Sequence, residues 1–169
     1  MTEFMIELQQ VSELTPSAPA RQYDEELDGL TGILIDACEA LASAGHTRFI
    51  VRGFGQDPWP VDIFTDLTVV IEQVPDAIDA LQRGETATLG FYEQGIERVL
   101  TFTPHGAGVT AECGSMTDWR PTPEVIELPR QELLGLLERF LESFVAQVRQ
   151  RSPDLAGHPW FQSWSAKRS

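Results

Sequence analysis

Three carboxylates and a tryptophan stand within one short stretch. Gly55–Asp66, GQDPWPVDIFTD, places Asp57, Asp62 and Asp66 around Trp59, which has Pro58 and Pro60 on either side. Carboxylates grouped in this way can hold Mg²⁺ or serve hydrolysis. A small hydrolase or metal-dependent enzyme using Asp57, Asp62 and Asp66 is therefore one expectation. Oxygen cages, however, usually need more ligands than a pair. Val61, Ile63, Leu67, Val69 and Ile71 share a parity, which predicts a strand bent near Thr65. On a straight strand Asp62 and Asp66 stand about 13 Å apart. That is too far to chelate one ion, and it suits two basic groups on a partner. Pro58 and Pro60 fix φ beside Trp59 and bias Asp57 and Trp59 toward extended backbone. Gly55–Pro60 is thus expected as an exposed loop, with Trp59 partly covered and little entropy left to lose on binding. A second acidic and aromatic pair, Asp118 and Trp119, occurs in TDWRPTP. The expected docking residues are Asp57, Trp59, Asp62, Asp66, Asp118 and Trp119, and they suit binding better than catalysis.

The usual catalytic signatures are missing from the sequence. It has no G-x-S-x-G elbow, no H-E-x-x-H, no G-x-x-x-x-G-K-[ST] and no G-x-G-x-x-G. Gly53-Phe54-Gly55 lacks a third glycine and a following helix, so it makes no phosphate cradle. His46, His105 and His158 have no ligand partner at i+3 or i+4. The last hairpin can bring His105 toward Cys113, a base and a nucleophile. Cys113 shares strand parity with Val109 and Ala111, however, and is expected as a small core hydrophobe. Cys38 lies on a helical apolar stripe and is expected in the core too. Two cysteines make neither a disulfide framework nor a four-ligand zinc site. No catalytic residue, cofactor or metal is expected.

Periodicity supplies the elements that must position these residues. Phe4, Ile6 and Leu8 alternate with polar neighbours, a half-buried strand. SELTPSAPAR, residues 12–21, is expected as a loop. Tyr23, Leu27, Leu30, Leu34, Cys38 and Leu41 recur at steps of three and four, a helix over about residues 23–44 closed by Gly45. Arg48–Arg52 is a strand, and Pro75–Arg83 a short helix with Pro at its first position. Thr86–Tyr92, Ile96–Thr103 and Val109–Cys113 form a meander with turns at 93–95 and 104–108. Pro129 opens a long helix striped by Leu133, Leu137, Phe140, Phe144 and Val148, which Ser152-Pro153 ends. Short connections imply antiparallel pairing. The expected fold class is α+β, with a mainly antiparallel sheet of about five to six strands packed by two amphipathic helices on one face. Residues 1–169 suit a single domain.

Charge narrows the partner. The net charge is −14 over 169 residues. It is concentrated in the first hundred residues, which hold 18 Asp and Glu against 5 Lys and Arg. Such a surface repels phosphate-rich partners, so neither nucleic acid nor an anionic membrane is expected. A basic protein is the favoured partner. No apolar run approaches the roughly 20 residues of a membrane span. The N-terminal MTEFMIELQQ carries Glu3, Glu7 and no basic segment, so a cytoplasmic protein without a signal peptide is expected.

The C-terminal HPWFQSW contains Trp160, Phe161 and Trp164. Rings of that size are costly to leave in water. Residues 152–169 are expected to fold back over the sheet edge, with a partner-binding segment as the alternative. Two stretches carry a resemblance: FYEQGIERVLTFTPHGAGVTAECGSMTDWRP at Phe91–Pro121 and HPWFQSW at His158–Trp164. A short meander, a Cys-Gly-Ser and Asp-Trp loop, a long helix and an aromatic tail together resemble small bacterial immunity-type proteins associated with polymorphic toxins. The resemblance covers roughly the C-terminal half and assigns no toxin-contacting residue. It implies an immunity- or antitoxin-like inhibitor that binds a basic partner through an acidic surface. A structural or regulatory subunit is the remaining expectation.

Overall fold

The computed structural model describes residues 4–17 and 21–166. Glu3, residues 18–20 of the expected loop and residues 167–169 of the expected tail lie outside the described residues. The chain runs β1 (Met5–Gln10), α1 (Leu30–Ala44), β2 (Thr47–Arg52), a π-type turn (Ile63–Leu67) continuous with α2 (Thr68–Gln82), β3 (Ala87–Phe91), β4 (Arg98–His105), β5 (Gly108–Ser115), β6 (Val125–Pro129), α3 (Arg130–Arg151), and the short α4 (Pro153–Ala156) and α5 (Pro159–Ser165). The fold class is α+β. The strands form two antiparallel sheets rather than one: β1 with β2, and β3-β4-β5-β6 in sequence order.

Helix α1 begins later than expected. Residues 25–27 form a turn, whose chain Asp24 organises by accepting from the N–H groups of Glu26 and Leu27. Leu27 therefore faces solvent instead of joining the stripe. Gly45 ends the helix in left-handed backbone at φ 71°, as glycine allows at this position.

The segment 61–82 corrects the sequence expectation. It forms no strand, and the helix does not begin at Pro75. Leu67, Val70, Ile71, Val74, Ile78 and Leu81 are all buried, a spacing of three and four. Leu67 and Ile71 of the odd-parity residues belong to that helical pattern, whereas Val61 precedes the helical segment and Ile63 and Val69 are half-buried; Pro75 disguises the pattern by standing inside the helix. Asp62 decides where the helix starts. Its Oδ1 accepts from Thr65 N at 2.7 Å and from Asp66 N at 3.3 Å. Asp66 Oδ2 in turn accepts from Asp62 N at 2.8 Å. This reciprocal pair satisfies donors that a helix start leaves orphaned. Strand β6 is an addition to the expected meander, with Ile126 and Leu128 inward and Val125 and Glu127 outward. A third long helix, α2, is likewise added to the two expected.

Side-chain amides close the sheet edges. Gln73 of α2 donates to Gly90 O at 2.9 Å and accepts from Gly90 N at 2.8 Å, so its carboxamide stands in for a neighbouring strand along β3. On α3, Ser143 Oγ and Gln147 Nε2 both donate to Leu8 O of β1, at 2.7 and 3.1 Å. Gln147 also accepts from the Thr47 hydroxyl at 2.6 Å, which ties α3 to β2. Phe161 and Trp164 of α5 are buried, and the Trp164 indole donates to Glu72 O at 3.1 Å. No helix among the described residues is long and apolar enough to cross a membrane.

Candidate functional site

Two loops meet at one end of the four-stranded sheet. Thr122 N donates to Phe54 O at 2.9 Å, joining the loop of residues 53–62 to that of residues 116–124. Gly55 makes the approach possible. Its φ is +89°, and a Cβ there would lie 2.4 Å from Thr122 O. The loop after β3 joins them through Met116 N, which donates to Glu97 O at 3.0 Å.

A buried arginine stands beneath this junction. Arg98 opens β4 with the inward parity of Leu100 and Phe102, and only 2 % of it is exposed. Its guanidinium carbon lies 3.5 Å from the Trp119 ring centroid and 4.5 Å from that of Trp59. The two indoles meet edge to face with centroids 6.0 Å apart. Trp59 is held from below as well. Its indole N–H donates to Gly53 O at 2.9 Å, and its backbone N–H to Val51 O at 2.7 Å. Arg98 Nε and Nη1 are buried without a hydrogen-bond partner. Burial lowers the Arg98 pKa, because a charge removed from water loses solvation. The indole faces return part of that loss through cation–π attraction.

These contacts revise the expected docking residues one by one. Trp59 is buried at 2 % exposure rather than partly covered, and it supports the site from inside. Trp119 is half-buried and covers Arg98. Asp57 and Asp118 are exposed on the two joined loops and form no ion pair among the described residues. Asp62 is exposed but occupied by the helix start, and Asp66 beside it is buried at 6 %. The expected separation of about 13 Å on a strand is thereby replaced by direct contact through the reciprocal cap. Burial works to raise the Asp62 pKa, but the Thr65 and Asp66 donors outweigh it and the net shift is downward. Asp66 shifts upward, first from burial and then from the charges of Asp62 and Glu93.

The remaining candidates for chemistry separate. Strand register pairs His105 with Gly108 and Cys113 with Leu100, and alternation puts the two side chains on opposite sheet faces. Burial pushes the Cys113 thiol up to about 11 and the Cys38 thiol up to about 12, which disfavours thiolate. His105 instead joins Thr110 and Glu127 on the outer face, but a single ring nitrogen, Nε2, lies 3.0 Å from Thr110 Oγ1 and 2.8 Å from Glu127 Oε2. A base relay needs one ring nitrogen for the nucleophile and the other for the carboxylate. Thr110 moreover donates to Glu127 Oε1 at 2.7 Å. The trio is a surface hydrogen-bond cluster. Among the described residues, no group of three or more His, Cys, Asp or Glu side chains is placed to hold a metal ion.

No family model, curated protein or solved structure matches the chain. Its own surface carries the functional argument. Beyond the loop end, no described element covers the outer sheet face. Register sets Thr88, Thr101, Glu112 and Val125 in one row across the four strands. The Tyr92 ring lies over Gly90 on the same face, where a Cβ would be 1.9 Å from the ring, and the tyrosine remains 63 % exposed. Neither Arg98 nor this outer face was among the expected site residues. The parity that Arg98 shares with Leu100 and Phe102 was the available signal for a buried arginine.

Proposed function

We propose that the protein is a binding module for a basic protein, acting as an immunity- or antitoxin-like inhibitor. The observation that carries this is the loop end of the sheet, where Asp57 and Asp118 stand exposed on two joined loops, Trp119 follows Asp118, and neither carboxylate has an ion pair among the described residues. A partner's lysine or arginine gains a carboxylate there without first breaking an internal ion pair. The indole beside it is a preferred anchor in interfaces. The net charge of −14 extends the attraction beyond contact distance. A nucleic-acid-processing enzyme needs a basic cleft for phosphate, and an acidic protein that fills such a cleft associates quickly and selectively. The resemblance of Phe91–Pro121 and His158–Trp164 to immunity-type proteins points the same way.

The test is kinetic. A partner isolated from the native cell, or a toxin domain encoded by the neighbouring gene, is measured against wild type and against Asp57→Ala with Asp118→Ala. The proposal expects a slower association rate with a weaker dependence on salt in the double variant. Equal rates and equal salt slopes in the two proteins would remove the loop end from the interface.

A further inference from the structure

The outer face of β3-β4-β5-β6 has the chemistry of an interface, and none of the described elements covers it. Val99, Thr101 and Thr110 are only half-covered, while Glu112, Val125 and Glu127 are exposed. The strand positions that point outward hold no lysine or arginine. Tyr92 supplies an exposed aromatic ring at one edge, and Val125, 45 % exposed, an aliphatic surface at the other. Between them lies a shallow depression of about 270 Å³, lined by Val99, Thr101, Glu112, Gly114, Glu124 and Val125 among others. Gly114 in the row opposite Val99 keeps it open.

We infer that this sheet face is a docking surface for a basic protein, with a lysine or arginine side chain of the partner lying in the depression. Val99 and Val125 fit the aliphatic stem of such a side chain. Glu112 and Glu124 fit its charged end, since long cations bury their stems and keep their heads at a polar rim. Tyr92 is of the residue type that most often anchors interfaces. Charge selects the occupant. A second copy of this chain would bring like charges together, whereas a basic surface neutralises Glu112, Glu124 and Glu127. Val99, Thr101, Thr110 and Val125 on this face are β-branched and have few rotamers to lose, which limits the ordering entropy that opposes docking. This inference rests on the proposed preference for a basic partner and assigns that partner a second, distinct surface.

Amide chemical shifts of the ¹⁵N-labelled protein, titrated at low salt with an octapeptide of alternating Arg and Val, test the assignment. An acidic octapeptide of alternating Glu and Val serves as the control. Saturable shifts confined to the basic peptide and centred on residues 99–101, 112–114 and 125 are expected. Glu112→Lys with Val125→Lys should weaken that binding at least tenfold, while Asp57→Lys with Asp118→Lys leaves the shifts on the sheet face. Both pairs lie at exposed positions, and an unchanged melting temperature verifies the fold. Shifts restricted to residues 55–60 and 116–120, insensitive to Glu112→Lys with Val125→Lys, would overturn the sheet-face assignment and leave the loop-end proposal standing. Absence of saturable binding would overturn both.

Discussion

The guanidinium carbon of Arg98 lies 3.5 Å from the centroid of the Trp119 ring, and among the described residues the arginine forms no ion pair. A buried charge beside indole faces and without an ion pair has its desolvation only partly offset. Arg98→Met should therefore fold with stability within about 1 kcal/mol of wild type, or above it, because an apolar chain of similar length fills the same slot. Arg98→Ala should cost about 2–4 kcal/mol through the cavity left between the indoles. Urea denaturation separates the two. A methionine variant as unstable as the alanine variant would show that the charge itself stabilises the fold.

Gly55 is the point at which the two loops touch. Alanine there meets Thr122 O at 2.4 Å and must adopt φ +89°, a region unfavourable to residues with a Cβ. Gly55→Ala should lower stability by about 1–3 kcal/mol. It should also redshift tryptophan emission as Trp119 loses its seat. Unchanged emission would mean that the loops tolerate separation without exposing the stack.

Asp62 and Asp66 should give opposing pH dependences. The Asp62 pKa is lowered by folding, so its stabilisation is present above the ordinary carboxylate value of about 3.9 and is lost as pH falls through the lower folded value. The Asp66 pKa is raised, so folding carries a penalty above the raised value that disappears as pH falls toward the ordinary one. Asp66→Asn keeps an oxygen acceptor for Asp62 N and removes the titration. It should be relatively more stable than wild type at neutral pH, with the advantage shrinking on acidification. Asp62→Ala should cost about 1 kcal/mol at neutral pH through loss of the helix cap. Denaturant midpoints measured from acidic to neutral pH check both signs.

Gln73 occupies the open edge of β3 through both polar atoms of its carboxamide. Gln73→Ala should cost about 1–3 kcal/mol, since the N–H and C=O of Gly90 lose their partners together. The Gly90 amide should also exchange faster with solvent deuterium. Native protection at Gly90 in the variant would show that another group covers the edge.

Trp164 is 2 % exposed, and its ring meets Phe144 with centroids 5.9 Å apart. Trp164→Ala should cost about 3–5 kcal/mol. Thermal unfolding of that variant, and of a chain ending at residue 157, measures how far α5 closes the core. Melting temperatures equal to wild type would assign these aromatics to an interface instead.

Local chemistry made much of the fold legible. Alternation marked β1, β2 and the meander, because a strand shows its two faces at every second residue. Steps of three and four marked α3, and Gly45 marked the end of α1. The segment 61–82 misled because β-branched residues with Pro75 among them suit either periodicity locally. Asp62 and Asp66 fix its outcome through reciprocal bonds that require the turn to have formed. Periodicity and composition were enough for the α+β class, the acidic balance and the inward parity of β4. Tertiary structure decided which carboxylates stay exposed. It left Asp57 and Asp118 at a loop junction and set Arg98 against both Trp59 and Trp119, while the Asp62–Asp66 cap is local, between residues four apart. Asp57 and Asp118, like Arg98 and its two indoles, lie far apart along the chain, so only the packing of separate elements brings them together, and no local pattern encodes their distance.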